Sequence, residues 1–312
     1  MQAMRIHEYG DASVIRQDDV PRPVPGRGEV LIHVAATSFN PSEIGLRRGL
    51  LRAVFAPDLP FTLGAEVAGT VVEVGDGGHG LAVGDRVIGR VGGAAAEYVT
   101  ARADTVVAAP TAIPLTHAAA IPVAGVTAWQ AVFEHAGLTS GQRVLVNGAG
   151  GGVGGFAVQL AKHAGAHVVA TASPRSAEAV SRFGADQIVD YTAIRLADAV
   201  DGPVDAILNL VVVDARQAAA LARLVRPGGV VVSATAPVEV PTGSPVRAVR
   251  FVARNDVGDL AALVRLVDAG TVRVDVAASR PLDELASVHR DAESGRIRGK
   301  IILVPSPGPS VV

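Results

Sequence analysis

The sequence contains no cysteine. Disulfides, thiolate catalysis and cysteine-ligated zinc are thereby excluded. It also has almost no excess of one charge: 28 Lys and Arg stand against 30 Asp and Glu, for a formal net charge of −2. That leaves no electrostatic footing for nucleic acid or for an anionic membrane. Lysine itself is scarce, with Lys162 and Lys300 alone, which reads with the Ala and Val excess as codon bias in a GC-rich genome. No basic-then-apolar leader precedes Met4-Arg5-Ile6-His7. The apolar stretches are broken by Pro, Gly or polar residues well short of a membrane span. The expectation is a soluble cytoplasmic protein. No internal repeat and no long low-complexity linker is visible. The 312 residues, 49% hydrophobic, allow one large or two ordinary domains with a sizeable core.

One stretch organises the rest. Val144-Leu145-Val146-Asn147 is an apolar run suited to a buried parallel strand. It runs into Gly148-Ala149-Gly150-Gly151-Gly152-Val153-Gly154, then into a pattern with helical spacing. Gly148, Gly151 and Gly154 stand three apart. A diphosphate laid against backbone N–H groups at a helix N-terminus needs such a turn, because a Cβ there would hold it off. The last glycine lets the helix pack close to its strand. A glycine turn alone is a weak signal, but this one follows a strand and precedes a second, His167–Thr171. Gly148, Gly151, Gly152, Val153 and Gly154 are therefore candidate dinucleotide contacts.

Around this unit the texture divides. Residues 1 to about 115 carry short β-rich runs between dense turn signals, such as Pro21–Gly28, Gly75–Gly78 and Val83–Asp85, which suggests a β-barrel-like domain. From Gly141 onward strands and helices alternate. Strands are predicted near 143–147, 167–171, 187–189, 204–208 and 230–233, with a possible sixth at 247–253. Helices are predicted near 152–164, 175–183, 215–225 and 257–269. This alternation argues for a doubly wound parallel sheet. The predicted fold is α/β, and the predicted domains are 1–117 with 271–312, and 118–270. A helix over 281–293 places Leu282, Leu285 and His289 on one side. The loop 235–245 lies beyond a strand's C-terminal end, and residues from 305 read as a frayed tail.

The second strand of the sheet indicates which dinucleotide. An NAD site usually ends that strand with Asp or Glu to hold the ribose 2′-OH. Here it ends Ala170-Thr171-Ala172-Ser173-Pro174-Arg175. A small hydroxyl and a cation, Ser173 and Arg175, suit a 2′-phosphate instead, so the expected cofactor is NADPH.

Several pieces, in order and spacing, resemble the medium-chain dehydrogenase/reductase superfamily in its zinc-free quinone oxidoreductase (zeta-crystallin-like) branch. They are Ser38-Phe39-Asn40-Pro41-Ser42-Glu43, Gly64-Ala65-Glu66-Val67-Ala68-Gly69, Val83-Gly84-Asp85-Arg86-Val87, Ala124–Trp129, the glycine turn, Phe183-Gly184-Ala185-Asp186, Arg226-Pro227-Gly228-Gly229 and Arg298-Gly299-Lys300-Ile301. The resemblance implies a GroES-like domain, completed by the C-terminal residues, a Rossmann domain, and a cofactor cleft between them. It implies cofactor contacts at Thr127, taken to start its helix, and at Tyr191, Asn209 and Lys300; for Lys300 a surface position is the alternative. It places Phe55 and Phe61 in an apolar segment at the substrate mouth. It implies a homodimer through the sixth strand. Zinc members carry Cys where this chain has Asn40 and His where it has Ala65, so no metal is expected.

The resulting expectation is hydride transfer from NADPH to a quinone or a related conjugated carbonyl acceptor, with the protein supplying position in a dry cleft. Asn40 is the candidate catalytic and substrate-side polar group, orienting the nicotinamide or donating to a developing oxyanion. Glu43 and Glu66 read as structural. An enoyl or alkenal reductase, such as one that tailors a polyketide, shares every motif. A nucleotide-binding sensor without turnover is the third reading.

Overall fold

The computed structural model describes residues 1–77, 80–240 and 243–306. Gly78 of the predicted turn, Pro241 and Thr242 of the 235–245 loop, and the tail from Pro307 fall outside the described residues. The chain divides into two compact units, one formed by Met1–Val123, Asn255–Asp268 and Val276–Val312, the other by Ala124–Arg254 and Ala269–Asp275. Among the described residues no helix is long and apolar enough to cross a membrane.

In the first unit a seven-stranded sheet runs Val276–Pro281, Lys300–Val304, Glu29–Ser38, Val67–Val74, Arg86–Gly89 and Val106–Ala108, with Tyr98–Arg102 also paired to Glu29–Ser38. A small antiparallel sheet joins Ile15–Asp19, Gln2–Ile6 and Phe61–Thr62. Val30, Ile32 and Val34 alternate onto one face and pack with Val67, Val71 and Val87. A second cluster packs Ile6, Phe39 and Leu63 against Leu282, Leu285 and Val288. The predicted helical face of Leu282, Leu285 and His289 is buried, the last two residues on a helix over Leu285–Glu293.

The second unit is a six-stranded, all-parallel sheet in the order third, second, first, fourth, fifth, sixth. Its strands, numbered in chain order, are Arg143–Asn147, His167–Ala172, Gln187–Asp190, Val204–Asn209, Val225–Ser233 and Arg247–Arg250. The order reverses between the first and fourth strands, where such sheets open a crevice at their C-terminal ends. Leu145, Val169, Ile207 and Val231, one on each central strand, form the core.

Three domain boundaries differ from expectation. Residues 118–123 stay with the first unit, whose first segment runs to Val123. The helix Val257–Asp268 belongs to the first unit, because Asp268 Oδ1 accepts the N–H groups of Thr111 (2.7 Å) and Ala112 (2.9 Å). Residues 269–275 stay with the second unit, where Gln159 exchanges two hydrogen bonds with the Arg273 backbone. The fifth strand starts at Val225, not 230, and runs through the Pro227-Gly228 pair that masks it in sequence.

Candidate functional site

The glycine turn joins the first strand to the helix Gly152–His163. Gly148 has φ +95°, a region that disfavours any side chain, and an added Cβ would also lie 2.6 Å from Val211 Cγ1. A Cβ at Gly154 would press on the Gly148 carbonyl and lie 2.6 Å from Ala149 Cα, so this residue sets how closely helix meets strand. Gly151 is different. It is the exposed N-cap, without a side chain to cap the helix, and a Cβ there would meet only Gly148 O at 3.4 Å. It would fill the space in front of the helix. Gly152, Val153 and Gly154 form the first helical turn, so their N–H groups lack a carbonyl four residues back inside the helix. Bare amides, an open approach and the positive end of a helix dipole fit a diphosphate.

The Gly148 amide is already occupied. It donates to Thr171 Oγ1 at 2.8 Å. The predicted contact at Gly148 is thus corrected to a conformational role, while the donors at 152–154 remain. Asn209 is fully buried at the end of the fourth strand, its side chain bonded to Asn147, Ser233 and the Val211 carbonyl. It ends the fourth strand, as expected, but its side-chain amide faces protein.

Ser173 and Arg175 open the helix Pro174–Arg182. Ser173 is its N-cap, and the Ser173 amide donates to Ser176 Oγ at 3.2 Å. Arg175 is exposed in the first turn, which carries no acidic residue. A cation at a helix N-terminus is unfavourable by the dipole, and a phosphate there would reverse the sign of that interaction. Tyr191 follows the third strand and is 55% exposed. Thr127 does not start its helix. The helix begins at Pro122, whose fixed φ suits a first helical position, and Thr127 lies in its last turn before a π-helical segment, Gln130–His135.

In the first unit the predicted polar residue sits in a buried cluster. Asn40 follows the strand Glu29–Ser38 and is 5% exposed. Its Nδ2 donates to Glu66 Oε1 (2.8 Å) and to the Ser38 carbonyl (3.3 Å), and its Oδ1 accepts from Lys300 Nζ (3.0 Å). The amide cannot turn over, since that would set Nδ2 against an ammonium and Oδ1 against a carboxylate. Both N–H bonds are therefore engaged, and Asn40 retains acceptor capacity only. This corrects the expected donation to an oxyanion. Lys300 is buried rather than on the surface: its three donors reach Phe39 O (3.3 Å), Asn40 Oδ1 and Glu66 Oε1 (2.9 Å). Glu66 also accepts from Ser38 Oγ and, on Oε2, from the Val123 amide at 2.7 Å.

Glu43 lies beside this cluster and accepts from the Asn40 and Gly64 amides, each at 3.1 Å. Burial pushes its carboxyl up to about 7, against the lowering effect of those two amides; the Glu66 charge adds to the rise. The predicted substrate-side rings meet: Phe55, 51% exposed, and the half-buried Phe61 have centroids 6.1 Å apart at 77°.

Residues 26–111 match the alcohol dehydrogenase GroES-like domain family, and residues 183–303 match the zinc-binding dehydrogenase family. The 2-methylene-furan-3-one reductase of Solanum lycopersicum is 32% identical over 98% of this chain and 80% of its own length. The chain belongs to the medium-chain dehydrogenase/reductase superfamily. Its nicotinamide-dependent quinone oxidoreductase branch is indicated by two further relatives. A chloroplast envelope quinone oxidoreductase homolog of Arabidopsis thaliana is 40% identical, the alignment spanning 61% of this chain and 61% of that relative. The crystal structure of Escherichia coli quinone oxidoreductase complexed with NADPH superposes with a TM-score of 0.88 at 25% identity, covering 98% of this chain and 100% of that one.

For this member of the superfamily, zinc does not fit. Asn40 and Ala65 stand where the resemblance implies Cys and His in zinc members, and neither offers a thiolate or an imidazole; the Lys300 ammonium sits among the oxygens a cation would use. Among the described residues no group of three or more His, Asp and Glu side chains is placed to hold a metal. A nicotinamide dinucleotide does fit, on the amides at 152–154. Sequence reasoning missed Thr171 and Asn147, which hold the turn from below. The available signal was a polar residue at or near the C-terminal end of each of two apolar strands.

Proposed function

We propose that this chain binds NADPH over residues 148–154 and reduces a quinone or a related conjugated carbonyl compound. NADPH, when bound, supplies the hydride. The observation that carries the preference for the phosphorylated nucleotide is Arg175: an exposed cation in a helical first turn that lacks any acid, after a strand whose end also lacks one. The NADPH complex of the Escherichia coli relative supports this reading. Gly152, Val153 and Gly154 would hold the diphosphate, Ser173 and Arg175 the 2′-phosphate, and Tyr191 would flank the adenosine side. Asn40 enters as a hydrogen-bond acceptor, able to orient a carboxamide N–H but not to stabilise an oxyanion. Phe55 and Phe61, with exposed Leu50 and Val54 nearby in the chain, supply apolar surface for a ring-shaped acceptor. The reductase relative from tomato supports an enone acceptor as the second reading. We also propose a homodimer through the Arg247–Arg250 edge strand.

The test is NADPH oxidation against a panel of quinones and enones, with NADH as control. Arg175→Ala should weaken NADPH binding and leave NADH unchanged. Equal use of both nucleotides by the wild type, or an unchanged NADPH affinity in the variant, overturns the cofactor assignment. Binding without oxidation by any acceptor favours a sensor.

A further inference from the structure

Four buried polar side chains stand at the C-terminal edge of the parallel sheet, one on each of four adjacent strands. In sheet order they are Thr171, Asn147, Asn209 and Ser233, with Asn147↔Asn209 and Asn209↔Ser233 in direct register. None of these residues is more than 8% exposed. Buried polar groups of this kind must find partners, and here they find one another.

The hydrogen bonds run in a single direction. The Gly148 amide donates to Thr171 Oγ1 (2.8 Å), so the Thr171 hydroxyl hydrogen goes on to Asn147 Oδ1 (3.1 Å). Asn147 Nδ2 donates to Asn209 Oδ1 (2.9 Å), and Asn209 Nδ2 donates to Ser233 Oγ (3.2 Å). Ser233 then donates to the Ala236 carbonyl at 2.6 Å. The direction has a fixed end. Asn209 Nδ2 also donates to the Val211 carbonyl at 3.0 Å, and that oxygen would repel Oδ1. Reversing any one member therefore reverses its neighbours or leaves a buried group unpaired. Aligned dipoles in such a chain strengthen one another.

The chain begins at the glycine turn and ends in the loops after the fourth and fifth strands. Those loops are tied in by further bonds: Leu210 N to Asn147 O (3.0 Å), Ala234 N to Asn209 O (3.1 Å) and Thr235 Oγ1 to Val211 O (2.8 Å). We propose that Thr171, Asn147, Asn209 and Ser233 act as one ladder that sets the glycine turn and both loops in the geometry the dinucleotide requires. They are positioning residues. The proposal rests on the NADPH reading above and adds to it a specific cause of affinity that lies behind the contacting amides.

Thr171→Val keeps the shape and removes both bonds of the first rung. It should raise the dissociation constant and the KM for NADPH about tenfold, the scale of one buried hydrogen bond, with kcat within about twofold. Thr171→Ser should restore both. Ser233→Ala lies three strand spacings, roughly 14 Å, from that rung and should still weaken NADPH binding several-fold. In the double variant the two effects should fall short of multiplying, because a ladder broken once has less to lose. Effects that multiply overturn the ladder, and so does wild-type affinity in Ser233→Ala, which can be read even should Thr171→Val not fold. Hydrogen exchange at the Gly148 amide, measured without nucleotide, separates the two failures. Faster exchange in Ser233→Ala together with no NADPH binding by the wild type supports the ladder and overturns the cofactor reading. Unchanged exchange overturns the ladder whatever the nucleotide does.

Discussion

Lys300 Nζ lies 2.9 Å from Glu66 Oε1, with the lysine side chain 5% exposed and the glutamate fully buried. The ammonium thus takes up a buried carboxylate and, through Asn40 Oδ1, holds the neighbouring amide in one orientation. Lys300→Met would strand the Glu66 charge. We expect it to destabilise the protein by about 3–5 kcal/mol, and the double variant with Glu66→Gln to recover part of that loss. Chemical denaturation of the wild type and the two variants checks this; a Lys300→Met protein as stable as the wild type would contradict it.

Glu43 carries a folded-state value of about 7 against an ordinary 4.5. The folded state therefore holds the proton more tightly than the unfolded state. The contribution is fully present below about 4.5 and is lost as pH rises through 7. Between pH 5 and 8 the wild type should lose stability relative to Glu43→Gln. Parallel denaturation midpoints for the two proteins across that range would count against a buried, proton-holding Glu43.

His289 has the opposite sign. Burial, then the nearby Arg47 charge, lowers it from 6.5 to about 3. The folded state resists protonation that the unfolded state accepts, so this contribution is present above 6.5 and is lost as pH falls toward 3. The slope is about 1.4 kcal/mol per pH unit. His289→Phe, which keeps a ring against Phe39 (5.0 Å between centroids), should flatten the acid side of the stability curve. An equally steep acid limb in the variant would mean that His289 is not the group responsible.

Two glycines of the turn, Gly154 and Gly151, should respond differently to a methyl group. Gly154→Ala collides with backbone that cannot yield, and should lower stability by about 1–3 kcal/mol or more. Gly151→Ala meets one atom at 3.4 Å and has φ −86°, which alanine accepts. Its melting temperature should stay near that of the wild type while NADPH affinity falls. Nucleotide titration beside thermal melts tests the pair; full affinity in Gly151→Ala would remove the diphosphate from that position.

Local signals were legible where strands are apolar and turns are marked. Arg143–Asn147 is predicted to the residue. The hairpin of Gln2–Ile6 with Ile15–Asp19 was not, because its second strand carries Arg16, Gln17, Asp18 and Asp19 and shows little apolar alternation. Thr127's helix starts five residues earlier than expected, at Pro122, and its π-helical continuation has no sequence pattern of its own.

The amino-acid order alone determined the strand, the bare turn and the amides at 152–154, because those depend on residues within one turn of each other. It also determined that no thiolate or imidazole stands at positions 40 and 65. Only the tertiary structure decided which polar groups lose water and with whom. Glu66 and Lys300 are 234 residues apart, and Thr171 meets Asn147 only because the sheet sets the second strand beside the first. A side chain's partner in a buried cluster is chosen by sheet order and packing, and neither is written in the spacing of the residues themselves.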